Sequence, residues 1–282
     1  MPPTDGARLP TTSATASVIA FDGAASRTVQ RAVPEEVAVN VVYGTVPFAV
    51  MMLTPQDLDD FAMGFSLTEG IITGPQDLRS SSVESHPGGL HLVIDLAPTA
   101  FHAHLARRRM LTGRTGCGVC GVETLDALPL ASPCKRAAPP LTPPPLSPGA
   151  IRRALDEMET HQTLNRETGA VHAAAFATLD GRVRLVREDV GRHNALDKLI
   201  GAALRAGHAP ASGFVLVTSR ASFEMVEKVA SFGGHALIAI SMPTSLAIDR
   251  ARLHGIALVG VARRDTMTVF HGIERITELV PA

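Results

Sequence analysis

Tryptophan is absent from the 282 residues, tyrosine occurs once, and aromatic side chains make up only 4% of the chain. A platform for stacking the bases of a single strand needs several exposed rings, so the composition argues against that role. An excess of charge of either sign is missing too: 26 Lys and Arg stand against 27 Asp and Glu, a formal net charge of −1. Binding dominated by a nucleic-acid backbone would need a cationic surplus. No nucleic-acid partner is expected, and any anionic ligand must be held by a local cluster of donors. No apolar run approaches the roughly 18 residues of a membrane span, and no basic segment leads into an apolar stretch as in a secretory signal. The expectation is a cytoplasmic protein without membrane contact. Cysteine is scarce. Cys117, Cys120 and Cys134 cannot build a disulfide framework, and an odd count with two in a C-x-x-C suits a reducing compartment and a reactive or metal-binding role. Hydrophobic residues reach 45%, so Ala, Val and Leu must form the core.

Residues 1–27 are rich in Thr, Ser, Ala, Pro and Gly without a period, and read as a disordered tail. Residues 28–110 read as an α+β subdomain. Val37 to Val50 carries two strands around Tyr43-Gly44-Thr45, Thr54-Pro55 looks like a helix start with Thr54 as cap, and Leu90–Leu96 reads as a strand. Residues 111–148 hold a glycine-flanked C-x-x-C followed by seven prolines between Pro133 and Pro148. That composition predicts a mobile loop and a stiff connector. From 149 to 282 the pattern predicts a helix opened by Ser147-Pro148 and a hairpin around Asp180-Gly181. A striped helix over Leu196–Leu204 follows, then strands alternating with helices: Phe214–Thr218, Ala236–Ser241 and Ile256–Val261. Short apolar strands separated by helices indicate parallel pairing. The fold class is α/β, with a mixed, largely parallel sheet in the C-terminal domain.

In such a run the loops after the strands share one sheet edge, where ligands usually bind. Here those loops carry Ser219, Arg220 and Ser222, then Thr244 and Ser245, then Val261, Ala262, Arg263 and Arg264. Hydroxyls, guanidinium groups and helix N-termini together suit phosphate oxygens; ordinary N-capping with solvated arginines is the other reading. The segment Arg187–Lys198 is unusually polar. Asp189, Arg192, His193 and Asn194 could orient a ligand or a neighbouring loop, or form a solvated face.

Three chemistries compete for Cys117-Gly-Val-Cys120. Half a zinc site lacks a second C-x-x-C and histidines at ligand spacing. A thioredoxin-like pair normally opens a helix after a strand. A sulfur-carrying nucleophile needs mobility and access, which Gly116, Gly118 and Gly121 supply, and Arg114 favours the thiolate. Zinc-dependent deamination requires H-x-E and then P-C-x-x-C. His193-Asn194-Ala195 lacks the Glu, and the C-x-x-C precedes the His. No structural metal is expected.

From about Glu36 to Val269 the chain resembles the formate dehydrogenase accessory sulfurtransferases, FdhD. Four stretches carry the resemblance: Arg114-Thr-Gly-Cys117-Gly-Val-Cys120-Gly121, Glu188-Asp-Val-Gly-Arg-His-Asn-Ala-Leu-Asp-Lys198, Thr218-Ser-Arg-Ala-Ser-Phe-Glu-Met-Val-Glu-Lys228, and Ser241-Met-Pro-Thr-Ser-Leu-Ala247. The resemblance implies a sulfurtransferase loaded by a cysteine desulfurase as a Cys117 persulfide, with Cys120 assisting. The sulfur goes to the molybdenum cofactor, bis-molybdopterin guanine dinucleotide, before insertion into formate dehydrogenase. It also implies a homodimer and a cytidine-deaminase-like three-layer α/β/α domain. Val261-Ala262-Arg263-Arg264-Asp265-Thr266 matches the family's cofactor-binding segment, but the family commonly has an aromatic near Val261 and a basic residue near Thr266. A cofactor-binding chaperone without sulfur transfer is the alternative function.

Overall fold

Thr11–Ile19 (β1) and Ser26–Pro34 (β2) pair as an antiparallel ribbon, in register from Thr11 opposite Pro34 to Ile19 opposite Ser26. Over its described residues, 9–21 and 26–27, this corrects the disordered tail expected over residues 1–27. The Thr- and Ser-rich run looks featureless, yet Thr is β-branched and suits a pleated strand. Gln30 also accepts from Ser13 and donates to Thr15, both at 2.9 Å, so one face of the ribbon is laced by side-chain hydrogen bonds. The computed structural model describes residues 9–21, 26–110, 143–263 and 265–277. The expected mobile loop and most of the expected connector lie outside these residues, as do Cys117, Cys120, Cys134 and Arg264.

A four-stranded sheet follows. It is built from Val37–Tyr43 (β3), Val46–Leu53 (β4), Leu78–His86 (β5) and Gly89–Leu96 (β6) in the order β4-β3-β6-β5, with β3 and β6 parallel. Gly44 turns β3 into β4 with φ +61°, as the Gly-containing turn predicted. Helices Leu58–Thr68 (α1) and Pro98–Met110 (α2) complete the subdomain.

Thr54 does not cap α1. The cap position is Asp57, at φ 54°, and its side chain makes no capping bond. Thr54 is instead fully buried, and its backbone and hydroxyl tie the end of β4 to the distant residues Asp189 and Val190. A long-range tertiary bond has displaced the local cap.

The C-terminal unit opens with Pro148–His161 (α3), capped by Ser147, whose hydroxyl accepts from Ala150 N. Thr163–Thr168 (α4), which the sequence did not signal, is held by Glu188 on its first amides. The hairpin of His172–Thr178 (β7) and Val183–Asp189 (β8) leads to Arg192–Arg205 (α5). Then come Gly213–Val217 (β9), Phe223–Phe232 (α6), Ala236–Ala239 (β10), Ser245–His254 (α7), Ala257–Gly260 (β11) and Thr268–His271 (β12). The six strands lie in the order β12-β11-β10-β9-β7-β8. Parallel pairing joins β9, β10 and β11, while β12, β7 and β8 pair antiparallel at the flanks. Alternation along the strands splits the interior. Ala174, Phe176, Val215, Val217, Leu237 and Leu258 face α5 and α6, whereas Ala175, Leu216, Ile238 and Val259 face α3. That is a three-layer α/β/α sandwich. Among the described residues no helix is long and apolar enough to cross a membrane.

The two sheets share one core. Val41, Phe61 and Phe65 of the N-terminal subdomain pack in the same cluster as Leu196, Leu199 and Ile200 of α5. The contact is close because α1 and α5 cross at Gly64 and Gly201. Ion pairs on two buried carboxylates surround the crossing. Asp60 is gripped by Arg187 and Arg205, and Asp197 is held by Lys228 at 2.8 Å and by Thr68 at 2.7 Å. Burial opposes the Lys228 charge, but Asp197 and Glu69 outweigh it and hold its pKa above the ordinary lysine value.

A second clamp closes the opposite end of the sheet. Arg275 donates to His235 Nδ1 at 2.6 Å and to the carbonyls of His235 and Pro144. Burial first, and the Arg275 cation second, push the His235 pKa from 6.5 down to about 4. The folded state therefore favours neutral imidazole. This contribution is complete above pH 6.5 and is lost as the pH falls toward 4, because the unfolded chain takes up the proton first. About 3 kcal/mol is expected to disappear across that window. The denaturant midpoints of wild type and His235→Asn, whose amide oxygen can still accept from Arg275, are expected to converge on acidification; a constant gap would disprove the assignment.

Candidate functional site

The loops after β9, β10 and β11 are stitched into one surface by backbone bonds. Ile240 N donates to Val217 O, Thr244 N to Ala221 O and Val261 N to Ser241 O, at 3.0 to 3.2 Å. This brings together Ser219, Arg220, Ser222, Thr244, Ser245, Val261 and Ala262, as the parallel topology predicted. Arg220, Thr244 and Ser245 are exposed, whereas Ser219 and Ser222 are largely buried. Thr244 caps α7 by accepting from Ala247 N. Ser222 stands at the N-terminus of α6 but makes no capping bond, so the capping reading holds for one of the two helices.

Val261 adopts φ 51°, a left-handed conformation that is strained for a β-branched residue. Its amide bond to Ser241 O and the bond from Ala262 N to Ala239 O hold it there. Beyond it the chain turns outward. Exposed Arg263, Asp265 and Thr266 form one wall of a cleft of about 620 Å³, with Pro148, Gly149, Arg152 and Asp156 of α3 opposite.

The polar segment before α5 divides in two. His193 is half-buried at the start of α5, with Nε2 2.8 Å from a carboxylate oxygen of Glu224 on α6. His172 lies close by: burial first, then Arg192 and His193, lower its pKa. These side chains border the stitched edge and remain in the candidate site.

Asp189 and Asn194 do not. Asp189 is fully buried and accepts from Lys198 Nζ at 2.6 Å, Thr54 N at 3.0 Å, Gly191 N at 2.8 Å and Asn194 Nδ2 at 3.0 Å. Asn194 also donates to Met52 O. With its oxygens engaged and no exposure, Asp189 has no capacity for a ligand. The pair anchors the β4–α1 connection, the loop-orienting half of the expectation, and its place in the ligand set is corrected. Sequence reasoning missed Lys198, Lys228 and Glu224. A lysine within an apolar helical stripe, as in Leu196-Asp197-Lys198-Leu199 and Glu227-Lys228-Val229, is the signal that could have disclosed the first two.

A family model described as FdhD/NarQ matches residues 34–277. The chain belongs to the FdhD/NarQ family. Similar relatives are the sulfur carrier protein FdhD of Xanthomonas campestris pv. campestris (strain B100), 48% identical over 254 residues (90% of this chain and 89% of the relative), and that of Bordetella parapertussis, 45% identical over 244 residues (86% and 87%). A crystal structure of a formate dehydrogenase accessory protein from Desulfotalea psychrophila has a TM-score of 0.72 at 23% identity. It covers 95% of this chain and 99% of that one, and shows that the fold is shared.

Proposed function

We propose that this FdhD-family chain carries sulfur for the maturation of a formate dehydrogenase. Cys117 takes a sulfur atom from a cysteine desulfurase as a persulfide and delivers it to the bis-molybdopterin guanine dinucleotide form of the molybdenum cofactor, the substrate of the transfer. The reading is carried by the 48% identity, over 90% of the chain, to a sulfur carrier protein FdhD. The Cys117-Gly-Val-Cys120 motif within the matched region supplies the chemistry.

In the loading step the Cys117 thiolate attacks the outer sulfur of the donor's persulfide. The donor's S–S bond breaks, its cysteine leaves as thiolate, and a new S–S bond forms at Cys117. The carried sulfur is at the oxidation level of the element, and release as sulfide takes two electrons. Cys120 supplies them: its thiolate attacks the Cys117 sulfur, hydrosulfide departs toward the cofactor, and the remaining Cys117–Cys120 disulfide is reopened by a dithiol reductant. The exposed edge residues Arg220, Thr244 and Ser245, with Arg263 and Thr266, offer donors to the phosphates of the dinucleotide.

Intact-mass measurement after incubation with a desulfurase and free cysteine is expected to show one added sulfur on the wild type and none on Cys117→Ala. Cys120→Ala is expected to load but retain its sulfur when the acceptor is supplied. If cells carrying Cys117→Ala still make active formate dehydrogenase, the reading fails in favour of a binding-only chaperone.

A further inference from the structure

The start of β7, the end of β9 and the starts of α5 and α6 come together. Thr218 N donates to Ala173 O at 3.0 Å and Ala173 N to Thr218 Oγ1 at 2.9 Å, which sets His172 beside the first loop of the stitched edge. Arg192 and His193 open α5, and Glu224 lies in the first turn of α6. The charges gathered there do not cancel. Glu188 is committed to the amides of α4, Asp189 to Lys198, and Glu224 faces His193. Neither Arg192 nor His172 has an ion pair among the described residues.

Arg192 is the sharper signal. It is half-buried, its Nε is closed off from water, and its side chain makes no hydrogen bond among the described residues. A charged donor buried without an acceptor is one of the costlier defects a fold can carry, and it calls for a ligand. The helix adds to the same point. The cap position of α5 is Gly191, which has no side chain to accept from the first amides. A Cβ there would lie 2.5 Å from Asn194 Nδ2, which Asp189 and Met52 O hold in place. The turn is therefore too tight for a capping residue, and the positive end of a 14-residue helix stays uncapped by any side chain.

A guanidinium group, two imidazoles and a helix N-terminus around one point are donors for an anion. The chemistry proposed above generates one. Hydrosulfide is small, singly charged and weakly hydrated, and it matches the weakly hydrated guanidinium group. It must also be kept from bulk water until an acceptor takes it.

We infer that Arg192, with His172, His193 and the first amides of α5, forms a small-anion pocket that receives hydrosulfide as it leaves Cys117 and holds it for the acceptor. The inference rests on the sulfur-carrier reading and adds to it a waiting place for the released atom. No bond forms or breaks in the pocket: the sulfur arrives as hydrosulfide from the disulfide-forming step and departs as hydrosulfide. Arg192 supplies the charge-assisted bond, and Glu224 holds the His193 ring in orientation.

Sodium sulfide is the probe, with sodium bromide as an anion of the same charge and similar size. Both are titrated anaerobically into the full, unloaded chain while the imidazole resonances of His172 and His193 are followed by NMR. Saturable shifts are expected for the wild type, and binding weakened about tenfold or more for Arg192→Gln. Arg192→Lys, which keeps the cation, is expected to recover most of it. Arg184→Gln removes an exposed arginine of β8 and is expected to bind as the wild type does. Matched thermal midpoints show that the variants fold. In cells, Arg192→Gln is expected to lower the formate dehydrogenase activity recovered by about tenfold or more, while its Cys117 still gains one sulfur by mass. Sulfide binding that is absent from the wild type, or equal in Arg192→Gln, overturns the pocket. Bromide binding with no loss of activity in Arg192→Gln marks an adventitious ion only, and overturns it too. Inorganic phosphate binding there in place of sulfide would assign the pocket to a phosphate and refute the inference. Failure of the wild type to load Cys117 is a separate result. It would overturn the carrier reading, and it is told apart because the sulfide titration needs no loaded Cys117.

Discussion

Replacing Lys198 by Met is expected to cost about 3–5 kcal/mol, the penalty for leaving a buried charge without its partner. Lys198 and Asp189 both have 0% side-chain exposure, and Nζ lies 2.6 Å from Oδ2. Methionine preserves the length and apolar stem of the lysine, so little packing is lost. What is lost is the only cation touching the Asp189 carboxylate among the described residues, together with the bond from Nζ to Thr54 O at 2.9 Å. The three neutral donors that remain cannot replace it in a low-dielectric interior. The double variant Asp189→Asn/Lys198→Met removes the stranded charge, and is expected to recover part of the stability although it makes fewer bonds than wild type. Urea denaturation of the three proteins measures this. A single variant costing less than about 1 kcal/mol would mean that water reaches the carboxylate.

Gly201→Ala tests the joint between the two halves, and the sign of its effect is informative. In an exposed helix the substitution stabilises by roughly 0.5–1 kcal/mol. Here a Cβ on Gly201 would lie 1.8 Å from the Asp60 carbonyl oxygen, and one on Gly64 would lie 1.8 Å from that of Asp197. Neither obstacle is a flexible side-chain end; both are backbone, so the helices must separate. Separation pulls Phe61 and Phe65 away from Leu196 and Ile200 and loosens the Asp60–Arg205 and Asp197–Lys228 pairs. A loss of more than about 3 kcal/mol is expected, at the upper end for overpacked sites. A lowered thermal midpoint checks it; a raised midpoint would mean that the crossing is looser than described.

These two sites mark where the sequence stopped being legible. The spacing Leu196, Leu199, Ile200, Ala203 shows a helix with one apolar face. It does not show that the remaining face is also covered, because that depends on α1, more than a hundred residues away. The polar run from Arg187 to Lys198 therefore offered a ligand site or a solvated face, and proved to be mostly an internal network. Thr54 misled for a related reason: Thr-Pro is a good local helix start, but a buried hydroxyl near Val190 N has a better use. The Ser/Thr-rich N-terminus misled in the opposite direction, since cross-strand partners supply the order that its composition lacks.

The candidate site was legible where topology alone decides. Once strands alternate with helices, the loops after β9, β10 and β11 must share an edge, and they do. The contribution of α3 was not legible. Arg152 is one arginine of a helix whose apolar face, Ile151, Ala154, Met158, says only that it packs on something. That it faces Arg263 across a cleft follows from the side of the sheet on which the helix lands.

The sequence by itself determined the alternation of helices and strands from α5 to β11, the parallel centre of the second sheet, the residues of the edge loops and the family to which the chain belongs. All of these follow from local periodicity, turn chemistry or motifs read in order along the chain. Only the tertiary structure decided which charges are buried, that two glycines weld the two sheets through one core, and that a helix wall completes the cleft beside Arg263. Each of these depends on distance in space between segments far apart in sequence, and the cost of burying a charge or a methyl group is set by that distance rather than by the residue that bears it.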